Sequence, residues 1–324
     1  MQGEAFIFQG RGMTDQTSDS IIDVPGNPRP EGARIIWFQG VGGRNLRACL
    51  APATAASPRG TCIVCPGRSE FIEKYFEVAC ELQAKGFAVL IIDWPGQGLS
   101  ERLLEDPLKG HIDRFETFMG ALRNGLDAMG DTLPKPYVSL AHSMGGAIAL
   151  AAIGQGLVKV EAAAFSAPMW GLPVGRMQRY FIWAMRVMGR SDDFAQKPGP
   201  KEKFEHNIVT HDQRRWKLHE ALTDAAPELS LGPVTWGWLG ASLDIVARMT
   251  KPRILKSITI PIFVASAAEE KLIDNSSHLR VASDLPNCEH IEVSEAMHEI
   301  LMEKDDKRAA FWAGFDRMLD KAGI

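Results

Sequence analysis

A serine becomes a nucleophile only where a neighbouring base can take its proton and where the chain presents its hydroxyl to a substrate. The segment Ala141-His142-Ser143-Met144-Gly145-Gly146 meets the second condition. It stands where the buried-type run Tyr137–Ala141 ends and the helix-forming run Met144–Gln155 begins. A serine on such a strand-to-helix turn is lifted above the sheet edge, with the helix N-terminus aimed at the reacting centre. The turn needs small residues two positions before and two after the serine. Gly145 is one, and Ala141 stands where glycine is usual. A chance Ser-x-Gly at a helix N-cap is the plain alternative, and the strand before and helix after argue against it.

The base and the carboxylate that orients it should follow in the order Ser, acid, His, each on a loop after a late strand. His298 follows the strand-like run His290–Val293 and precedes the final helix, which makes it the candidate base. His111 comes too early, His206, His211 and His219 fall in an irregular middle region, and His278 and His290 sit within a helix and a strand. For the acid, Glu269, Glu270 and Asp274 all lie just beyond the strand Pro261–Ser266. The residue types alone leave that choice open. Two backbone N–H groups must stabilise the oxyanion, one from the residue after the nucleophile and one from the loop after the third strand. Met144 is the first, and in Cys65-Pro66-Gly67-Arg68-Ser69-Glu70 the backbone of Arg68 is the second. Its guanidinium is also a candidate contact for an anionic headgroup, against the plainer reading of a surface arginine.

Other groupings carry less. Cys62 and Cys65 form a C-x-x-C in or beside a strand, where residues three apart face opposite sides and no redox pair forms. His206, His211 and His219 lack metal-site spacing, so no metal is expected. The glycines of Asp93-Trp94-Pro95-Gly96-Gln97-Gly98 do not open a helix and make no dinucleotide fingerprint, so no cofactor is expected either.

The elements that must position these groups follow a regular plan. Arg34–Phe38, Leu46–Ala51 and Thr61–Cys65 read as strands between Gly- and Pro-rich turns. Helical spacing over Phe71–Lys85, Ile112–Met129 and Met144–Gln155 then alternates with strands at Ala88–Asp93, Tyr137–Ala141 and Ala162–Ala167. After a break, strands at Pro261–Ser266 and His290–Val293 alternate with helices at Asn275–Leu285 and Glu303–Lys321. The expectation is an α/β fold: a mostly parallel, eight-stranded sheet flanked by helices. Residues 1–33 read as a tail, poorly ordered at its start, followed by a core over 34–168 and 259–324. The 169–258 stretch, rich in Trp, Arg, Met and His, reads as a helical cap inserted after the sixth strand. Within it Arg176, Arg179, Arg186 and Arg190 fall within roughly 80° on a helix, with Met177, Phe181, Ala184, Met185 and Met188 on another face.

Bulk properties exclude several classes. With 36 basic and 40 acidic residues in 324, the formal charge of −4 offers nothing to nucleic acid. The apolar share of 45% is that of a globular chain able to bury a core. The longest apolar run, Gly145 to Gly154, is about half the roughly 20 residues a spanning helix needs. The N-terminal segment lacks the pattern of a secretory signal, and five cysteines fit a reducing compartment, so a cytoplasmic location is expected.

Taken together, these blocks resemble the bacterial lysophospholipase and monoacylglycerol lipase family of α/β-hydrolases, nearly from Arg34 to the C-terminus. Cys65-Pro66-Gly67-Arg68 resembles its oxyanion loop, and Asp93-Trp94-Pro95-Gly96-Gln97-Gly98-Leu99-Ser100 its Asp-x-Arg-Gly-x-Gly-x-Ser segment, with Pro95 in place of arginine. Glu269-Glu270-Lys271-Leu272-Ile273-Asp274-Asn275 and Met297-His298-Glu299-Ile300-Leu301 are similar to its acid and histidine blocks. The resemblance implies Glu270 as the acid, 28 residues before His298. It implies hydrolysis of a fatty-acyl ester with a small or polar alcohol part, and so a lipid partner. The basic edge and oily face of the 176–190 stretch offer peripheral membrane contact through the cap, against the plainer reading of an oily face packed on the core with solvated arginines. A carboxylesterase for small or aromatic esters and a silent binding module on the same fold are the alternatives.

Overall fold

The computed structural model describes residues 21–200 and 202–324. Among them, the apolar runs become β1 (Arg34–Gln39), β2 (Asn45–Ala51), β3 (Gly60–Cys65), β4 (Phe87–Ile92), β5 (Tyr137–His142), β6 (Ala162–Ser166), β7 (Ile262–Ala267) and β8 (Cys288–Val293). They form one eight-stranded sheet in the order β1-β2-β4-β3-β5-β6-β7-β8. The β1–β2 and β2–β4 pairs are antiparallel and the remaining pairs parallel. β3, β4, β6 and β7 are buried at every position, as strands covered on both faces must be.

The crossovers that parallel pairing requires are helical: α1 (Phe76–Ala84), α2 (Glu116–Met129) and α3 (Met144–Gly154) on the N-terminal side. The expected cap stretch holds α4 (Arg176–Val187), α5 (Gln213–Ala225), α6 (Trp236–Met249) and the short α7 (Pro252–Leu255). The last two helices are α8 (Ser276–Asp284) and α9 (Asp305–Ala322). α3 is apolar all round and buried from Met144 to Ala152, so it forms the centre of the core rather than a surface layer. No helix among the described residues is long and apolar enough to cross a membrane.

Two helices start four or more residues later than expected, where side chains of the expected first turn are held by partners elsewhere. The helix expected from Phe71 opens as a tighter turn at Ile72–Tyr75, all buried, with Glu73 and Lys74 turned into ion pairs. The helix expected from Ile112 begins at Glu116, because His111 is held by Thr235 Oγ1 at 2.9 Å and Asp113 at 3.2 Å. Residues 1–20 of the expected tail lie outside the described residues. Its last part is bound to the core: Ile21 is buried, the Ile22 N–H donates to Glu73 Oε1 at 3.1 Å, and the Asn27 side chain donates to Glu73 O at 2.9 Å.

Under the sheet's C-terminal edge lies a sealed ionic centre. Arg47 donates to both oxygens of Glu73 at 3.0 and 2.8 Å and to Asp93 at 2.8 Å, with all three side chains fully buried. Asp93 also accepts the N–H groups of Ile72 and Leu99, both at 2.9 Å, which ties the turn after β4 to the turn before α1. Gly98 is required here. A Cβ at that position would stand 2.1 Å from the Asp93 carboxylate, and its φ of 53° is left-handed.

A second ionic centre bolts the β6–β7 insertion to the core. Arg215 of α5 donates to Glu77 of α1 twice at 2.7 Å, to Asp212 at 2.7 Å, to Asp305 at 2.6 Å and to the Glu303 carbonyl at 2.6 Å. Burial pushes the Glu77 carboxyl up, but the Arg215 hydrogen bonds and the charges of Arg308, Arg215 and Arg214 outweigh it and bring it to about 2. A carboxyl lowered on folding stabilises above its unfolded value, about 4.3, and that contribution fades as pH falls toward the folded value. The difference in thermal midpoint between wild type and Glu77→Gln should therefore shrink steadily as pH is lowered from about 5 to about 2.5. A difference independent of pH would contradict this account.

Candidate active site

Ser143 joins β5 to α3 with φ 48° and ψ −119°, a strained conformation of the kind that concentrates at functional turns. The turn is packed against the end of β3: a Cβ on Gly145 would lie 2.0 Å from the Cys65 carbonyl oxygen, so only glycine fits. Ala141, two residues before the serine, is fully buried and accommodated. The Ser143 N–H donates to Ser166 O at 3.1 Å and its carbonyl accepts the Met169 N–H at 2.8 Å, which fixes the turn from β6.

Loops after β7 and β8 bring the other groups to it. His298 Nε2 lies 2.9 Å from Ser143 Oγ and His298 Nδ1 lies 2.6 Å from Glu270 Oε2. The side chains of Glu270 and His298 are only 1% and 5% exposed, so solvent does little to weaken the pair. The other Glu270 oxygen accepts the N–H groups of Leu272 at 2.7 Å and Ile273 at 3.3 Å. Burial pushes the Glu270 carboxyl up, but His298 and these amides hold it below its ordinary value, so it is an anion at neutral pH.

The neighbouring carboxylates are turned elsewhere. Asp274 accepts from Ser276 at 2.6 Å and Arg280 at 3.1 Å, and Glu269 faces His211 at 3.4 Å. Three other histidines have partners away from the serine: His278 and His290 flank Ser266, both at 2.7 Å, and His219 stacks on Phe71. Among the described residues, no group of three or more His, Cys, Asp or Glu side chains is arranged to hold a metal ion. Cys62 and Cys65 are buried and free, and burial pushes the Cys65 thiol up to about 12 and that of Cys62 well above its ordinary value.

The loop after β3 sits directly over the serine. A Cβ on Gly67 would approach Ser143 Cβ to 3.2 Å and His142 Cδ2 to 3.1 Å. Beside it lies a polar cluster that sequence reasoning did not single out. Glu70 accepts hydrogen bonds from the Gly67 N–H and from Tyr75 OH, the latter at 2.6 Å. Lys74 pairs with Glu70 at 2.9 Å and with Glu299, the residue after His298, at 2.7 Å. His142 donates from Nδ1 to Ser166 O at 3.0 Å, and burial lowers its pKa, which keeps it neutral. The detectable signal was the unusual density of charge, Glu70, Glu73 and Lys74, in an otherwise apolar stretch.

Arg68 is not the solvated arginine of the plainer expectation. Its guanidinium donates to the carbonyls of Gly232 and Pro233 at 2.7 and 2.9 Å and lies over the Trp238 ring at 5.6 Å. It thereby ties the loop after β3 to the β6–β7 insertion.

α4 also differs from its expected faces. It packs on α6 and buries Ile182 and Met185, leaving Met177, Tyr180, Phe181, Trp183, Val187 and Met188 exposed. Arg186 crosses α6 to reach Asp244 at 2.9 Å and Arg190 pairs with Asp193 at 2.6 Å, so two of the four expected cations are already neutralised.

A doubly covered, mostly parallel sheet with a serine on its central strand-to-helix turn, followed in chain order by a carboxylate and a histidine, defines an α/β-hydrolase. The chain belongs to the serine aminopeptidase S33 family of hydrolases, whose pattern it matches over residues 56–305. It is 33% identical over 266 residues to lysophospholipase L2 of Escherichia coli K12, covering 76% of each chain. It is 29% identical over 278 residues to a probable lysophospholipase L2 of Haemophilus influenzae, covering 82% of this chain and 86% of that protein. Among solved structures, a soluble variant of Saccharomyces cerevisiae monoglyceride lipase superposes with a TM-score of 0.70 at 15% identity, over 90% of this chain and 96% of that one. A thermostable Bacillus coagulans carboxyl esterase superposes with a TM-score of 0.72 at 14% identity, over 90% and 98%.

Proposed function

We propose that this enzyme hydrolyses a fatty-acyl ester of a lysophospholipid or monoacylglycerol through an acyl-enzyme on Ser143. The observation that carries the chemistry is the unbroken line Ser143 Oγ, His298 Nε2, His298 Nδ1, Glu270 Oε2 at 2.9 and 2.6 Å. In this reading His298 takes the Ser143 proton as Oγ bonds to the ester carbon, and the N–H groups of Arg68 and Met144 stabilise the oxyanion. His298 passes the proton to the departing alcohol. A water, deprotonated by the same imidazole, then attacks the acyl-enzyme, and collapse of the second tetrahedral adduct frees the fatty acid and returns the proton to Ser143. Glu270 stays ionised, holds the productive tautomer and offsets the imidazolium charge.

The choice of a lipid ester rests on the relatives named lysophospholipase L2 and on an apolar groove. That groove, about 610 Å³, lies between α4 and the start of α6 and is lined by Met177, Phe181, Ile182, Val234, Trp236 and Leu239. The exposed apolar side chains of α4 suit peripheral contact with a membrane, through which such a substrate enters. The test is a rate comparison across lysophosphatidylcholine, lysophosphatidylethanolamine, monoolein and butyrate esters. Long-chain substrates should dominate, and Phe181→Ser should raise their KM about tenfold more than that of butyrate esters, the loss of one apolar contact surface. A maximum on butyrate esters with no long-chain turnover would replace this reading with a small-ester carboxylesterase.

The acid assignment is tested separately. Glu270→Gln should lower kcat about 10⁴-fold, because the amide favours the wrong imidazole tautomer. Glu269→Gln and Asp274→Asn should stay within about threefold of wild type, as solvated or locally paired carboxylates do. Collapse at Asp274 with little change at Glu270 would move the assignment.

A further inference from the structure

The segment after β4 makes no dinucleotide fingerprint, yet its side chains reach the loop above Ser143. Trp94 Nε1 donates to Pro66 O at 2.8 Å and Gln97 Nε2 donates to Gly67 O at 3.1 Å. Gln97 Oε1 accepts the Ser69 N–H at 3.3 Å, and Ser69 is itself held at a left-handed φ of 62°. From the opposite side Glu70 accepts the Gly67 N–H. Three residues of the loop, Pro66, Gly67 and Ser69, are thus gripped by side chains that are themselves buried. Gln97 is 2% exposed and sits in a turn closed by its own N–H on Trp94 O at 2.9 Å, directly beyond the Asp93–Arg47 ion pair.

The peptide between Gly67 and Arg68 is trans. In a planar trans peptide the carbonyl and the N–H point in opposite directions. A carbonyl held by Gln97 therefore turns the Arg68 N–H away from Gln97, in a loop whose Gly67 Cα faces the serine, a Cβ there lying 3.2 Å from Ser143 Cβ. The loop could otherwise rotate this peptide, since Gly67 has no side chain to oppose it.

We infer that Gln97 is a positioning residue of the oxyanion hole, fixing the direction of the Arg68 N–H through the Gly67 carbonyl, with Glu70 and Trp94 as its counterparts on the same loop. The inference rests on the reading of Ser143 as nucleophile and the Arg68 N–H as an oxyanion donor. Gln97 touches neither substrate nor the reacting atoms.

The deciding variants are Gln97→Glu, which keeps the shape and the acceptor but removes the donor, and Gln97→Met, which removes both without adding charge. Removal of an oxyanion donor costs about 10²–10³ in kcat, and misdirecting one should cost about 10- to 100-fold. KM should change by less than about threefold, since the ground-state ester relies little on this donor. The affinity of a boronic acid or trifluoromethyl ketone, which forms a tetrahedral adduct, should fall by the same factor as kcat/KM. For Gln97→Glu the ratio of variant to wild-type kcat should rise as pH is lowered, because protonation of the new carboxyl restores a donor to Gly67 O; a merely structural role would not produce this. If Gln97→Glu does not fold, Gln97→Met carries the kcat and adduct tests alone. Wild-type labelling by a fluorophosphonate is measured first, and its absence would overturn the Ser143 reading itself. If wild type is labelled and both variants keep kcat within about twofold, or lose kcat with adduct affinity unchanged, the positioning role alone is overturned.

Discussion

Ser143→Ala should lower kcat for any ester substrate by about 10⁶ and abolish fluorophosphonate labelling, with no loss of thermal stability. The hydroxyl is the group placed 2.9 Å from His298 Nε2, so its removal leaves the proposed oxyanion donors, the N–H groups of Arg68 and Met144, in place but nothing to carry the acyl group. Stability should be preserved because the strain belongs to the backbone. At φ 48° alanine and serine suffer the same Cβ crowding, and Ser143 holds the turn through its own N–H and carbonyl rather than through Oγ. Burst kinetics of alcohol release, labelling and a melting curve form the measurement. Retention of more than a tenth of wild-type turnover would mean that the nucleophile lies elsewhere.

His298→Ala should be nearly as severe in kcat but should behave differently in stability. Without the imidazole, Ser143 has no acceptor for its proton, and the loss should approach about 10⁶-fold. The same change strands the Glu270 carboxylate, whose side chain is 1% exposed and keeps only the amides of Leu272 and Ile273. An anion left in such a place is destabilising, by about 2 kcal/mol given those two remaining donors. The folded-state carboxyl then sits higher than the unfolded one, so the deficit should be smaller at acid pH and largest at neutral pH. Adding Glu270→Gln to His298→Ala should recover most of the stability and none of the activity. A single variant as stable as wild type at every pH would show that the pair is not the closed unit described above.

The parts of this molecule that could be read from its sequence are those governed by local pattern. Strands buried on both faces must be continuous apolar runs, so β3, β4, β6 and β7 announce themselves. The Ser143 turn is legible because its geometry requires small residues at fixed distances, and His298 because one histidine follows the last strand. The choice among Glu269, Glu270 and Asp274 needed the resemblance, since all three lie within one flexible-looking loop and only three-dimensional aim separates them. What stayed hidden depended on partners far along the chain. Glu73 looks like a helix surface residue until Arg47 is placed against it, and Gln97 looks like a turn residue until Gly67 arrives 30 residues away. The packing face of α4 is illegible for another reason. With arginines and apolar residues interleaved nearly all round, its sequence does not state which side packs, and in the fold, where α4 lies against α6, Ile182 and Met185 are the two that become buried.

The attachment of the β6–β7 insertion bears on how this enzyme could be re-engineered. Val209 O accepts the Glu299 N–H at 2.8 Å, Thr210 Oγ1 donates to Met302 O at 2.7 Å, and His211 lies 2.8 Å from Glu303, whose carboxylate also receives the Met297 N–H at 3.0 Å. The insertion is therefore a scaffold for the segment on either side of His298, not a detachable cover. A chimera that imports another hydrolase's whole insertion to change selectivity would import a foreign foundation for His298, the proposed general base, as well. The workable graft boundary lies upstream: exchange of α4 and its flanks, with Asn207 to Arg215 retained, alters the walls of the apolar groove and leaves the footing of the imidazole in place.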